Sequence, residues 1–298
     1  MHIANCSVMK RLIKEASEYL LSRGIRFPQR EAEDIMMDLL EVSSRGALHD
    51  IKLSSGERVS YWERVQKRGN RCPTAYIHGK VHFLGIELQV SPEVLIPRQE
   101  TEIFVEKIIG YLQTHKEKKI FYDVCCGSGC IGLSVKKHCP HVHVVLSDIC
   151  SQALAVAKSN AKRNDLIVDF LCGDLFEPFR IPADAFVCNP PYLSYKEFFK
   201  VDPEVRCHEP WKALVGGVSG LEFYHRIAEY IHKILVPGGV GWLEIGSNQG
   251  ESIKKIFRDK GISGCVFKDY AQLDRFFFLE NQAGDAVSSG EVSGFSER

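Results

Sequence analysis

Over roughly the first seventy residues the apolar side chains recur at helical spacing. Val8, Leu12, Ala16, Tyr19 and Leu20 share one face, and Ile35, Met36, Leu39 and Leu40 form a second stripe behind Pro28, a residue suited to opening a helix. Ser54-Ser55-Gly56-Glu57 is a capping-box pattern ahead of Val59, Trp62 and Val65. Between about Tyr76 and Val90 the period turns strand-like: Val81, Phe83, Ile86 and Leu88 flank Gly85, which predicts a β-hairpin. From about residue 95 onward, short apolar runs alternate with helical stretches. The runs are Lys119–Val124, Val142–Leu146, Asp169–Cys172, Ala185–Cys188, Val240–Ile245 and a late one at Phe276–Leu279. Ser151 is placed to cap a helix carrying Ala153, Leu154, Ala157 and Ala161, and a helix over Leu221–Leu235 is expected to stop at Pro237-Gly238-Gly239. Such alternation predicts an α/β domain with a parallel sheet covered by helices on both faces. The expected organisation is a helical domain over 1–73, a hairpin linker over 74–94, the α/β domain over 95–284 and a loose Ser/Gly-rich tail over 285–298.

Composition narrows the function classes. With 45 % apolar and 26 % charged residues in 298, the chain is an ordinary globular one rather than disordered or low-complexity. The 38 basic and 38 acidic residues cancel, so no global field draws in a phosphate backbone, and direct nucleic-acid binding is not expected. No apolar run reaches the ~18 residues of a membrane span, and the first residues lack the apolar core of a secretory signal. The eleven cysteines are odd in number and scattered; Cys126 and Cys130 come nearest to a paired spacing. The reading is a reducing cytoplasm, thiols used as small apolar groups, and no metal site.

In a parallel sheet of this kind ligands bind beyond the carboxyl ends of the strands. Gly127, Gly129 and Gly132 match G-x-G-x-x-G after the first strand of the α/β domain, with Asp148 about twenty residues on. The pattern suits a dinucleotide or S-adenosyl-L-methionine (AdoMet); the loop alone does not separate them. Asn189-Pro190-Pro191-Tyr192 is more telling. The prolines hold the backbone extended and remove donors, which frees the Pro190 carbonyl beside the Asn189 side-chain oxygen. Two convergent acceptors match a planar NH2 group, and Tyr192 offers a flat face to stack on it.

Asn-Pro-Pro-Tyr in this setting resembles the amino methyltransferases, which act on adenine, cytosine or glutamine amides. The rest of the chain narrows the resemblance: Pro73–Gly79, Val94–Glu102, Gly173–Pro178, Glu209-Pro210, Ala213–Gly217, Gly220–Tyr224 and Leu243–Gly246 follow in order. Together they look like the release-factor glutamine methyltransferases, the PrmC/HemK family, over about residues 8–280. The resemblance implies a Rossmann-like AdoMet-dependent methyltransferase domain with a small N-terminal helical domain. It implies AdoMet contacts from Cys125, Cys126, Gly127, Ser128, Gly129, Asp148, Asp174, Leu175 and Asn189, with Asp148 on the ribose hydroxyls and Asp174-Leu175 near the adenine. Leu95 and Arg98 would approach the methionine end. Cys125 stands where the family usually has glycine, Gln99 where it has proline, and Gln272–Arg275 where it often has Gly-Arg-Asp-Arg. Cys125 and Cys126 are read as packing groups, with a reactive thiol near the helix N-terminus as the lesser alternative.

The implied substrate is the glutamine of the Gly-Gly-Gln loop in class I peptide chain release factors, bound by Asn189, Pro190, Pro191 and Tyr192, with Asn189 and Pro190 as the catalytic pair. The helical domain would dock the release factor. An amide nitrogen needs orientation rather than a strong base, so Asp123, His208 and Glu209 are read as structural. Two alternatives stay open. A glutamine methyltransferase acting on a ribosomal protein could share the motif. A DNA adenine amino-methyltransferase fits the acceptors but not the zero net charge.

Overall fold

Three amphipathic stripes cannot be left in water, and the helices that carry them close on one another. In the computed structural model, which describes residues 2–281, these are α1 (His2–Ser22), α2 (Pro28–Leu39) and α3 (Ser55–Gly69). Leu12, Ala16, Leu20, Ile35, Met36, Tyr61 and Val65 form their shared core. Pro28 is the first residue of α2. At α3 the capping box forms as read: Ser54 Oγ accepts from the Glu57 backbone N–H, and the Glu57 carboxylate accepts the Ser54 N–H. The stretch expected to begin a hairpin at Thr74 is instead a short helix, α4 (Thr74–His78), closed by Gly79 at φ 74°. A five-residue turn of helix is too short to declare its period. The hairpin itself is β1 (Lys80–Phe83) and β2 (Ile86–Gln89) around Gly85.

The α/β part continues with α5 (Gln99–Thr114), β3 (Ile120–Val124), α6 (Cys130–His138), β4 (His143–Asp148), α7 (Ser151–Arg163), β5 (Asp169–Cys172) and β6 (Ala183–Cys188). Short elements follow: β7 (Leu193–Ser194), α8 (Tyr195–Phe198), α9 (Pro203–His208) and β8 (Val215–Gly217). It closes with α10 (Glu222–Ile234), β9 (Leu235–Glu244), α11 (Gly250–Arg258), β10 (Gly264–Lys268) and β11 (Asp274–Glu280). The seven-stranded sheet has the order β10-β11-β9-β6-β3-β4-β5. From β9 to β5 all neighbours are parallel, but β11 runs antiparallel to β9, and β10 antiparallel to β11. The expectation of a wholly parallel sheet is therefore corrected at one edge, where β10 is also an added strand. The Phe276–Leu279 run is buried throughout, and a continuous apolar run carries no sign of direction. The helix expected over Leu221–Leu235 does end at Ile234, but Pro237-Gly238-Gly239 behind it lies inside β9. The register shifts there, from Ala183 opposite Leu235 to Ala185 opposite Val240, so the proline occupies an irregularity where no ladder donor is needed. Trp242, Phe121, Phe186, Phe257 and Phe277 are fully buried around the sheet. Among the described residues no helix is long and apolar enough to cross a membrane. The expected tail, 285–298, lies outside the described residues.

The chain divides into two compact units, one holding the residues up to Val81 together with Asp202–His208, the other the remainder. The helical unit thus takes in a segment far away in sequence, beyond the expected boundary at 73. Inside this unit Arg68 of α3, 6 % exposed, pairs with Glu31 of α2 and, at 2.7 Å, with Glu204 of α9. Removing the guanidinium leaves two half-buried carboxylates without their counter-charge. Arg68→Ala is expected to lower unfolding stability by about 1–3 kcal/mol in urea titrations. Arg11→Ala, which breaks only the exposed pair with Glu15, should leave it within about 0.5 kcal/mol.

Candidate active site

Strand register sets the site. Val124 of β3 lies opposite both Ser147 of β4 and Cys188 of β6, and Cys188 lies opposite Leu243 of β9. The next residue on each strand therefore comes into one row at the carboxyl edge: Asp148, Cys125, Asn189 and Glu244. Three of these four are candidates read from the sequence. Glu244 is not.

On the β3–β4 side the loop folds around two carboxylates. Asp148 Oδ2 accepts the Gly127 N–H and Oδ1 the Cys150 N–H, both at 2.9 Å. Ser151, expected to cap α7, is instead its first residue, and the position before it, Cys150, makes no side-chain cap. Burial pushes the Asp148 carboxyl up, against the two backbone donors. Asp123 is 1 % exposed; its Oδ2 accepts the Gly132 N–H at 2.7 Å, and its buried Oδ1 has no partner among the described residues. Gly127, at φ 53°, has open space where a Cβ would stand. Cys125 adopts φ 60°, a left-handed conformation that strains a residue with a side chain and that explains why glycine suits this position. Cys126 is buried, and its thiol is pushed well above the ordinary range, first by burial and then by the carboxylates nearby. Cys126 thus packs as read, and the alternative of a reactive thiol there does not hold, because desolvation outweighs the helix N-terminus. The Ser128 carbonyl accepts from Asn160 Nδ2 at 2.9 Å, and the same side chain binds the Gln89 N–H and carbonyl. Asn160, which nothing in the sequence singled out, therefore ties the glycine loop to β2.

On the β6–β9 side lies Asn189-Pro190-Pro191-Tyr192. Asn189 Nδ2 donates to Glu244 Oε2 at 3.0 Å, and Thr101 Oγ1 of α5 donates to the same oxygen at 2.8 Å. The Tyr192 hydroxyl reaches Glu244 Oε1 at 3.4 Å, and the Tyr224 hydroxyl donates to the Glu244 backbone carbonyl at 2.8 Å. Glu244 is 2 % exposed. Burial raises its carboxyl, opposed by the Thr101 bond and by Arg275, Tyr192 and Arg98. Among the described residues no donor reaches Asn189 Oδ1 or the Pro190 carbonyl. The proline pair is gripped from outside. Leu193 N–H donates to the Leu214 carbonyl, and Gln249 Nε2 donates to the Tyr192 carbonyl, each at 2.9 Å. A Cβ on Gly216 would lie 2.4 Å from the Pro191 oxygen, and one on Gly220 2.3 Å from the Tyr192 oxygen. Only glycine fits at either point.

Other candidates are placed differently. Asp174 Oδ2 pairs with Arg226 of α10 at 2.8 Å. Leu175, at φ 47°, sends its side chain into the core. Glu209, read as structural, is buried and holds Arg98 at 2.7 Å and the Ile96 N–H at 3.2 Å. The Arg275 guanidinium is held by Asp269 at 3.2 Å.

Burial carries the Asp123 carboxyl up to about 7, against the Gly132 N–H and with Asp148 adding to the rise. An exposed aspartate releases its proton near 4. Folding therefore takes up a proton between about pH 4 and pH 7, and the stability tied to this residue is present at low pH and lost as pH rises through that window. Asp123→Asn should remove that loss. Denaturant titrations of the ligand-free protein at pH 5 and pH 8 are expected to show the variant gaining on the original chain by a few kcal/mol. An unchanged difference between the two pH values would disprove the assignment.

The family model for the methyltransferase small domain matches residues 100–202, and that for the PrmC N-terminal domain matches residues 11–79. A release factor glutamine methyltransferase of Chlamydia trachomatis serovar D is 81 % identical over 290 residues, covering 97 % of this chain and 100 % of its own. One from Clostridium acetobutylicum is 39 % identical over 76 % of this chain and 81 % of its own. Among solved structures, a methyltransferase from Pyrococcus furiosus superposes with a TM-score of 0.51 at 14 % identity, covering 77 % of this chain and 100 % of its own, a likeness of fold alone. At such identity over nearly its whole length, the chain belongs to the release factor glutamine methyltransferase family.

Proposed function

We propose that this enzyme transfers the methyl group of AdoMet to the side-chain amide nitrogen of the glutamine in the Gly-Gly-Gln loop of class I peptide chain release factors, in the cytoplasm. The observation that carries the reading is the commitment of Asn189 Nδ2 to Glu244. It leaves Asn189 Oδ1, beside the Pro190 carbonyl, as a pair of acceptors matched to one planar NH2 group.

The residues at the edge of the sheet fit the cofactor. Asp123 Oδ1 is a buried acceptor without a partner among the described residues, and the space beside Gly127 is open to a ligand. Asp148 is oriented by two backbone donors, so its remaining lone pairs can take the ribose hydroxyls. Bound AdoMet supplies a methyl group on a sulfonium, which is open to in-line attack. The chain supplies position and field. Asn189 Oδ1 and the Pro190 carbonyl accept the two amide hydrogens, turn the nitrogen lone pair toward the methyl group and favour the positive charge that grows on nitrogen. Tyr192 packs against the flat amide. No side chain has to remove a proton before attack: the nitrogen becomes more acidic as its bond to carbon forms and then releases one proton to water. The helical unit is assigned to holding the body of the release factor. The balanced charge supports a protein partner rather than nucleic acid.

Labelled AdoMet, a release factor and its loop Gln→Ala variant test this directly, with duplex DNA as a parallel acceptor. Label should enter the release factor alone. Label in DNA, or undiminished label in the Gln→Ala variant, would refute the reading. Asn189→Ala should slow transfer by roughly 5- to 150-fold, the worth of one lost hydrogen bond in the transition state, while calorimetry shows AdoMet affinity little changed.

A further inference from the structure

Glu244 is a buried acid in an otherwise apolar strand, and the reaction as written does not use it. Its oxygens face three side-chain groups able to donate: Thr101 Oγ1 at 2.8 Å, Asn189 Nδ2 at 3.0 Å and the Tyr192 hydroxyl at 3.4 Å. Its backbone is pinned by Tyr224 at its carbonyl and, one residue on, by the bond from the Ile245 N–H to the Arg275 carbonyl. Thr101 and Tyr192 carry hydroxyls, which can turn to suit either partner. Asn189 cannot. Its amide has a donor end and an acceptor end, and only one orientation satisfies an ionised carboxylate. The reverse orientation would set two oxygens 3.0 Å apart in a buried place.

We infer that Glu244 is a positioning residue for methyl transfer: its carboxylate accepts Asn189 Nδ2, and so forces Asn189 Oδ1 outward as the acceptor for the substrate amide. Thr101 supports it from α5 by holding the shared oxygen in place. A carboxylate has no hydrogen to offer, so it enforces one orientation where a neutral amide would permit two. It also draws on the Asn189 N–H and thereby enriches the electron density on Oδ1, which strengthens that oxygen as an acceptor.

The inference rests on the reaction proposed above, and the test separates the two. In Glu244→Gln, an amide replaces the carboxylate at the same size, and both orientations of Asn189 become allowed. Transfer to the release factor should fall in kcat by about 10- to 100-fold, with AdoMet affinity within about threefold by calorimetry. In an Asn189→Ala background the same substitution should cost nothing further, because Glu244 acts only through Asn189. Thr101→Val, which leaves the carboxylate in place, should lower kcat by a smaller factor, and that loss too should vanish in the Asn189→Ala background. A wild-type kcat in Glu244→Gln overturns the inference. So does a loss of equal size with and without Asn189, the mark of a merely structural role. A readout independent of substrate is the Asn189 side-chain amide signal in nitrogen-15 spectra. Bonded to a carboxylate, one proton should lie downfield and exchange slowly, and Glu244→Gln should shift it. If the enzyme fails to methylate release factors, the proposed reaction falls alone and this signal still decides Glu244. An unprotected Asn189 amide in the original chain overturns the inference whatever the substrate.

Discussion

A carboxylate in a protein interior must be answered by donors, and at the end of β9 that demand organises the site. Glu244 draws Thr101 from α5, Asn189 and Tyr192 from the loop after β6, and Tyr224 from α10 onto one residue. All but the longer Tyr192 contact are ordinary in length, and they meet on a buried residue, so an unmade one would cost the desolvation of its polar group. The loop that faces the substrate is thereby fixed from behind. Its conformation does not depend on the substrate to form, which is what pre-organised acceptors require.

The same loop is held from the side by backbone packing that leaves no room for side chains. Gly216 and Gly220 lie against the Pro191 and Tyr192 carbonyls, and Gln249 bridges from α11's N-terminal end to Tyr192. Prolines cannot be tied down through their own N–H groups, so a Pro-Pro segment has to be fixed by its carbonyls and by contact. The motifs around Gly216, Gly220, Glu244 and Gln249 thus serve one purpose, although they are scattered along the sequence. The other half of the edge uses a different device. There Asp148 gathers backbone N–H groups from two loops, and Cys125 accepts a left-handed turn that strains its backbone.

Much of this was legible in the sequence because it rests on local rules. Short apolar runs ending in Asp148, Asp174 and Asn189 marked strand ends, and the Pro-Pro pair announced free carbonyls. The capping box at Ser54 formed as its spacing requires. What stayed hidden depends on partners remote in sequence. The direction of β11 is set by its pairing with β9, and nothing in Phe276–Leu279 encodes it. Pro237-Gly238-Gly239 reads as a helix stop by composition, yet a register shift lets β9 pass through it. The return of Asp202–His208 to the helical unit is tied by Arg68, whose partners are 37 residues before it and 136 after, and by His208 on the Asn70 carbonyl. Glu244 did carry a signal: an acid inside Val240–Ile245, a run otherwise without charge, has to find donors once buried. Asn160 carried none, since an asparagine on a helix surface and one that bridges two loops look alike until the loops are folded.

The electrostatics of the edge bear on which ligand it suits. Asp123, Asp148 and Glu244 stand at the ends of β3, β4 and β9, and burial shifts all three toward the protonated form. Each therefore ionises at a cost that a nearby positive charge would offset. Arg275 and Arg98 do this for Glu244. Asp123 instead has Asp148 beside it, which raises it further, and among the described residues its Oδ1 has no hydrogen-bond partner. A cationic ligand at the glycine loop would supply that charge and gain affinity from it, whereas a dinucleotide, with its pyrophosphate, would bring further negative charge against carboxyls that already resist ionising. The glycine pattern alone leaves both ligands open. The acids around it favour the sulfonium.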